Sequence, residues 1–353
     1  MKSIKQFPFK KYLNYLIIGG VLLLFTVLTL VGGVSTSNLY LLEKMSIAII
    51  LAVSLGMVVG FLGELSLGHA GFMCVGGYLG GKVSAALVAA LGVSESNFGV
   101  LLISLLVGGL VAAAFGIIIG LPALRLRGDY LAIVTLAFGE IVRSVITHVP
   151  VEVFGGAFGL ETPRFDKKYL FIIGIVMVLL CLAVTQNLMQ SKHGRAIKSI
   201  RDNEIAARAT GIDITKYKLF VFTISAFFAG IAGVLYSYSN YRLQSANFDY
   251  NYSIEILVMV VLGGIGSING SIVAAALITF LNIKLQTTLT GDLAVLQNLF
   301  YAIILILIVI YKNAPGLKGF REKYNMKKLF DKLKGKLKKS PAGEVKEDGA
   351  NEQ

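Results

Sequence analysis

Long apolar segments alternate with short polar ones along almost the whole chain. The apolar segments recur at lengths near the ~20 residues that a helix needs to cross a bilayer. We place them at 12–31, 41–62, 70–91, 98–121, 130–149, 169–188, 218–240, 253–266, 270–287 and 294–311. The pattern predicts an all-α, polytopic membrane bundle of about ten transmembrane helices, in which the eighth segment is short for a full span.

Composition supports this assignment and excludes a soluble globular domain. The 353 residues are 56% hydrophobic and only 15% charged, whereas ordinary soluble domains are about 25% charged. The 39 glycines suit membrane helices, because small residues let helix backbones approach closely. The apolar stretch from Tyr12 to Val31 follows a basic head, but no small-residue cleavage site comes after it. It is therefore predicted to be a first spanning helix rather than a cleaved signal.

The net charge of +13 is concentrated in segments that flank apolar ones. Residues 312–339 carry eleven basic side chains and only two acidic ones. This placement follows the positive-inside rule and fits attraction to a lipid bilayer, so nucleic acid is not expected as a partner. We predict a transmembrane domain over 1–311 and a basic, partly disordered tail over 312–353. Both termini are expected on the cytoplasmic side of a bacterial plasma membrane.

A polar island (residues 191–218) interrupts the apolar pattern between the sixth and seventh spans. It contains seven basic and three acidic residues and is expected to face the cytoplasm. A compact, helix-forming, charged surface in a chain that otherwise avoids charge predicts a docking site for a soluble partner.

A glycine-rich loop (residues 63–71) separates the second and third spans. Its glycines should break the helix near membrane depth, where irregular backbone survives only when it is buried in protein or lines a wet cavity. Broken helices often form transport sites. We therefore expect a translocation pathway or gate there, with a plain cytoplasmic turn as the alternative. The candidate residues are Glu64, Ser66, His69, Phe72 and Met73.

Two further charged groups lie within predicted spans. Glu140 and Arg143 are one helical turn apart and can form an intramembrane ion pair. Such a pair either faces a cavity or locks two helices together, and the sequence leaves both open. Lys82 has no acid nearby in sequence, so its partner could be Glu64, Glu140 or Glu255.

Sites for nucleotide, metal or catalysis are not expected in this chain. The segment Gly76–Lys82 has the glycine and lysine spacing of a phosphate-binding loop, but Val83 follows it instead of Ser or Thr. It also lies inside an apolar segment, so helix packing explains its glycines. The remaining candidate ligands are isolated and form no metal motif: His148, His193, Cys74 and Cys181.

Two other glycine clusters predict turns. Gly155–Leu160 lies in the longest outer loop and should fold tightly, where it could meet an external partner. Gly263–Gly270 should make a compact turn between the eighth and ninth spans.

Residues Glu204–Gly211, with the sequence EIAARATG, resemble the coupling helix of bacterial ABC-importer permeases. Longer segments are similar to LivM-type permeases of branched-chain amino acid importers: GELSLGHAGFMCVGGY, LRLRGDYLAIVTLAFGEIVR and SIEILVMVVLGGIGSINGSIVAAA. The chain departs from the family pattern at Phe158, where Asn is usual. The resemblance covers most of residues 45–285 and implies ATPase coupling by Arg195, Arg201, Asp202, Glu204, Ala206, Ala207 and Gly211.

The resemblance also implies a bundle with inverted halves and a function. The chain would be the membrane subunit of an ATP-driven importer of leucine, isoleucine and valine that works by alternating access and is not itself an enzyme. Its partners would be a second, LivH-type permease, two ABC ATPase subunits that bind ATP and Mg, and an extracytoplasmic substrate-binding protein. A urea or other small amide or amino acid importer remains an alternative. An ion-coupled secondary transporter using Glu64 and Glu140, and a membrane-embedded enzyme, are expected less.

Overall fold

Helices make up nearly all of the structure, which is a computed structural model. It describes residues 35–126 and 128–288, together with isolated positions at 19, 20, 27, 299, 302, 303, 306, 307 and 310. The chain divides into two units, Met1–Gln297 and Asn298–Gln353. The account below concerns the first unit. The predicted first and tenth spans and the basic tail lie largely or entirely outside the described residues.

Eleven α-helices follow one another in the described part of the first unit. They are α1 Thr36–Gly56, α2 His69–Leu91, α3 Phe98–Ala123, α4 Asp129–His148, α5 Val151–Phe154, α6 Lys167–Gln190, α7 Lys192–Asp202, α8 Glu204–Ala209, α9 Ile214–Asn240, α10 Tyr250–Gly263 and α11 Ile268–Thr288. A π-helical turn, Met57–Leu62, extends α1. Short 3₁₀ turns occupy Gly156–Phe158 and Ser245–Phe248.

Seven helices in the described part of the chain are long and apolar enough to cross a membrane. They coincide with the second to seventh and the ninth predicted spans, so the all-α membrane fold is confirmed. Helix α10, the eighth predicted span, has only 14 residues, which agrees with the short apolar segment seen in the sequence. The inverted arrangement of the two halves stays a prediction.

Polar side chains set where several helices begin. Each accepts a hydrogen bond from a backbone N–H of the first turn, which would otherwise lack a partner. These N-caps are Asn97, Asp166, Ser191, Asn203, Asp213 and Asp249. The polar residues between apolar segments therefore fix the helix boundaries as well as separating the spans.

Helices α2, α3 and α9 cross at three glycines in the centre of the bundle. A Cβ placed on Gly76 of α2 would lie 2.3 Å from the Cα of Gly230 of α9. A Cβ on Gly230 would lie 2.5 Å from the carbonyl oxygen of Gly108 of α3. Only glycine allows the three backbones to come this close. The glycines of the phosphate-loop-like segment thus serve helix packing, as the sequence predicted.

The loop between α4 and α6 is tightly folded, as expected. Gly155, Gly156 and Gly159 all have positive φ, which glycine adopts without steric cost. A two-stranded antiparallel pair, β1 Leu160–Glu161 and β2 Arg242–Leu243, ties this loop to the segment after α9. The predicted compact turn between α10 and α11 also forms, because Gly264 and Gly266 have positive φ.

The structure corrects the expectation for Lys82. Its Nζ donates a hydrogen bond to the backbone carbonyl oxygen of Glu152, 3.2 Å away. Lys82 lies near the end of α2 that meets the α4–α6 loop, so it reaches a carbonyl there rather than one of the three carboxylates considered from sequence.

Candidate functional site at the polar island

The helix break between α1 and α2 is present where the glycines predicted it. The π-helical turn Met57–Leu62 ends at Gly63, whose φ is 82°. The chain then runs without regular structure until α2 begins at His69. π-Helical turns are rare and occur frequently at functional sites.

Neighbouring helices supply hydrogen bonds to this broken segment. The N–H of Leu67 donates to Thr135 Oγ1 at 3.0 Å, and the N–H of Ala70 donates to Ser253 Oγ at 3.1 Å. His69 Nε2 and Ser54 Oγ share a hydrogen bond of 2.8 Å. Irregular backbone at membrane depth needs such internal partners, so α1, α4 and α10 together hold the loop in place.

The side chains expected to form pathway walls are instead packed inside the bundle. Ser66 and His69 are buried, and Phe72 and Met73 are 2% and 0% exposed. The ring of Phe72 lies 4.9 Å from that of Phe138 and 5.4 Å from that of Phe222. Close packing of α2 against α4 and α9 leaves these side chains as core, which corrects the expectation that they line a path.

Glu64, the remaining pathway candidate, forms an ion pair with Lys218 in the first turns of α9. The two side chains are only 13% and 4% exposed. Lys218 Nζ also lies 3.5 Å from Glu204 Oε2 at the start of α8. One buried cation therefore joins the glycine-rich loop, the polar island and the base of α9.

A second contact connects the island to the helix break. Arg201 of α7 donates from Nη1 to the carbonyl oxygen of Gly60 at 3.1 Å, inside the π-helical turn. Its Nε and Nη2 donate to Asp202 Oδ1 at 3.1 and 2.9 Å. A π-helical turn leaves backbone carbonyls less regularly paired, and the guanidinium supplies a charged donor to one of them.

The island itself forms two helices, α7 and α8, with one face turned inward. On α7 the buried residues are Gly194, Ile197 and Ile200, spaced three apart on one side of the helix. Arg195 and Arg201 are on the outer side. This amphipathic pattern anchors the island against the bundle while it presents charge outward.

The outer surface of α8 differs from the one expected. Ala206 is exposed, but Ala207 is 2% exposed and packs against the rest of this chain. Of the small pair expected to enter a partner's groove, only Ala206 can do so. Ile205 is 78% exposed, which makes it the apolar side chain that α8 offers to a partner. Gly211, also exposed, has positive φ and ends this turn of the island.

The Glu140–Arg143 ion pair is present, with Arg143 Nη2 2.7 Å from Glu140 Oε2. Glu140 Oε1 also accepts from the backbone N–H of Tyr250 at 3.0 Å. That N–H begins α10, whose first turn favours a negative charge. The pair therefore connects α4 to α10, which supports the helix-locking interpretation.

Two residues of the site were overlooked in the sequence. Lys218 was counted among the island's basic residues, although its place at the start of an apolar span is a signal that it needs a buried partner. Ile205 is an apolar residue in a charged helix, and that contrast was a signal for a contact surface.

The arrangement transmits force rather than performing chemistry. A displacement of α7 and α8 would act on the π-helical turn through Arg201, and on α9 and the glycine-rich loop through Lys218. Because each link is a charge-assisted hydrogen bond inside a packed region, small shifts at the island would be passed to the bundle instead of being absorbed.

Comparison with known proteins places the chain among transport permeases. The family model described as "Branched-chain amino acid transport system / permease component" matches residues 37–310. A LivM permease protein of a high-affinity branched-chain amino acid transport system from Escherichia coli is 38% identical over 264 residues, covering 66% of this chain and 60% of that protein. Its counterpart from Salmonella typhimurium is 37% identical over 277 residues, covering 69% and 63%.

More distant relatives handle other solutes. The ribose import permease protein RbsC of Escherichia coli is 28% identical over 321 residues, covering 82% of this chain and 92% of that protein. The match to the two LivM proteins extends over less than two thirds of their length. No solved structure gives a significant match.

Proposed function

The chain belongs to the family of permease components of branched-chain amino acid transport systems, and we propose that it is the membrane subunit of an ATP-driven importer of leucine, isoleucine and valine. The observation that carries this proposal is the junction between the polar island and the helix break. Lys218 contacts Glu64 and Glu204, and Arg201 contacts the carbonyl of Gly60. A subunit driven from outside the membrane needs such a connection.

In this proposal, α7 and α8 dock into an ATPase subunit on the cytoplasmic side. The complex would contain a second permease, two ATPase subunits that bind ATP and Mg, and an extracytoplasmic binding protein. The ends of α6 remote from the island would then face outward. ATP-driven movement of the ATPases would push the island, and the bundle would convert between inward-open and outward-open states.

Uptake by the reconstituted complex tests this function. Proteoliposomes containing the permease, its partner subunits and ATP should accumulate leucine when the binding protein is supplied, and should not accumulate it with ADP. Ribose and urea, offered with the corresponding binding proteins, distinguish the competing substrate classes. Accumulation of ribose or urea without leucine would contradict the amino acid assignment while leaving the importer mechanism in place. Leucine uptake that ignores ATP and follows a proton gradient would instead support a secondary transporter.

A further inference from the structure

A polar cavity lies among α1, α9, α10 and α11, at the end of the bundle remote from the polar island. Its volume is about 160 Å³, which is room for several water molecules or a small solute. The charged side chains in its wall are Lys44 of α1 and Glu255 of α10. Ionisable groups within membrane helices are costly and typically mark a transport path.

Lys44 is held with part of its ammonium group available to the cavity. Its Nζ donates to Asn240 Oδ1 at 2.8 Å and lies 3.6 Å from the centre of the Tyr236 ring. A lysine ammonium has three N–H donors, so this hydrogen bond leaves two others. Glu43, the neighbouring acid, accepts from Ser239, and adjacent residues on a helix point in different directions. The lysine is therefore directed toward the cavity rather than toward that acid.

The opposite wall carries the acidic partner. Glu255 Oε1 accepts from Asn282 Nδ2 at 3.1 Å. Tyr236 and Tyr252 also line the cavity, with their ring centres 6.5 Å apart. Aromatic faces attract cations, so this side suits a positively charged group.

Thr279 of α11 supplies a polar atom that the described part of the chain does not satisfy. It is 7% exposed and lines the cavity, and its Oγ1 has no hydrogen-bond partner among the described residues. Buried hydroxyls normally have a partner, and each exception calls for an explanation such as an absent ligand. The remainder of the lining includes three apolar side chains, Ala48, Met259 and Ile283.

We infer that this cavity is the transit site for the amino acid, with Lys44 binding the substrate carboxylate and Glu255 with the tyrosine faces binding its ammonium group. The inference rests on the proposed function and specifies it. Opposite charges on facing walls match a zwitterion, and the apolar wall matches a branched aliphatic side chain. Thr279 adds a hydrogen bond to the bound carboxylate. A neutral sugar would leave both charges without a counterion, which disfavours it.

The test is leucine uptake by the complete complex in proteoliposomes, with a saturating supply of leucine-loaded binding protein. Lys44→Met and Glu255→Gln should each lower uptake by at least about tenfold, as expected when one member of a desolvated charged contact is removed. Thr279→Val changes shape least and should lower uptake by a few fold. Lys284→Met is the matched control, because Lys284 is exposed on the same helix as Thr279, and it should transport like wild type.

Wild-type uptake in all three cavity variants would overturn the site while leaving the proposed function intact. A wild-type complex that imports no leucine would overturn the proposed function itself, so the two failures are distinguishable.

A binding measurement covers variants that fail to assemble. Thr279→Cys should react with a small thiol reagent in the purified complex, and leucine should slow that reaction by about threefold or more, whereas ribose should not. Cys74 and Cys181 are buried and should contribute little background. Absence of leucine protection, or of any labelling, would overturn the site.

Discussion

Lys218 and Glu64 are 154 residues apart in the sequence and form a nearly buried ion pair at the foot of the bundle. Glu64 follows the helix break, and Lys218 lies at the base of the helix that contacts α1, α2 and α3. Their pairing brings the glycine-rich loop and the end of the polar island to one point. The predictions below concern how firmly that point is held and what it contacts.

The pair should stabilise the bundle and couple the two segments. Lys218→Met or Glu64→Gln alone should lower the free energy of unfolding by about 3–5 kcal/mol, because each leaves a buried charge without its main partner. The double variant should cost clearly less than the two single costs added together. Thermal unfolding of the purified permease measures this. Strict additivity would show that the two groups do not interact, and Glu204→Gln, which removes the longer contact, should have a smaller effect.

Arg201 should matter for coupling more than for assembly. Arg201→Lys retains the positive charge but loses the planar fork that contacts both Gly60 and Asp202. We expect ATP hydrolysis by the complex to continue while leucine imported per ATP falls several-fold. Arg208→Lys is the control, since Arg208 is 67% exposed and has only a 3.4 Å contact with Glu204. An unchanged ratio of leucine to ATP in Arg201→Lys would contradict a transmitting role.

Ile205 should be the apolar anchor for the soluble partner. Ile205→Asp introduces a charge at a side chain that is 78% exposed, so folding of the permease should be unaffected. Recovery of the ATPase with the purified permease should drop by at least about tenfold, as expected for a central contact residue. Ile205→Leu should retain binding. Ala207→Trp makes a contrast, because Ala207 is buried and a large side chain there should disrupt the island itself.

The three-glycine crossing should tolerate no added methyl group. Gly230→Ala places a Cβ 2.5 Å from the Ala112 Cβ, and the overpacking should destabilise the bundle by about 1–3 kcal/mol. Gly139→Ala is the control, because its nearest listed neighbour atom would be 3.8 Å away. A shift in melting temperature for Gly230→Ala but not for Gly139→Ala is the expected result. Equal melting temperatures would mean that the helices separate easily at this point.

Cysteine labelling should decide the orientation of the bundle. A cysteine at Arg208, on the island, should react with a membrane-impermeant reagent only from the cytoplasmic side. A cysteine at Phe158, which is 72% exposed in the loop before α6, should react from outside. These positions lie beyond opposite ends of α6. The reverse labelling pattern would invert the proposed topology.

Apolar length and polar interruptions alone were enough to locate the membrane helices. The seven long helices follow the predicted spans closely, because a segment of about 20 apolar residues has few options except to cross a bilayer as a helix. The break at Gly63 and the glycine turns were also predictable, since glycine adopts positive φ without steric cost. The i, i+3 pairing of Glu140 with Arg143 follows from helix geometry.

The partners of buried charges were decided only by the tertiary structure. Lys82 contacts a carbonyl, Glu64 contacts Lys218, and Phe72 and Met73 are core residues because α2 packs between α4 and α9. Likewise, the sequence places Lys44 and Glu255 in different helices, 211 positions apart, and only the packing of α1 against α10 makes them walls of one cavity. Local patterns specify helices because backbone hydrogen bonds are local. Contacts between distant residues depend on how the helices pack, and that is settled by side-chain fit across the whole bundle.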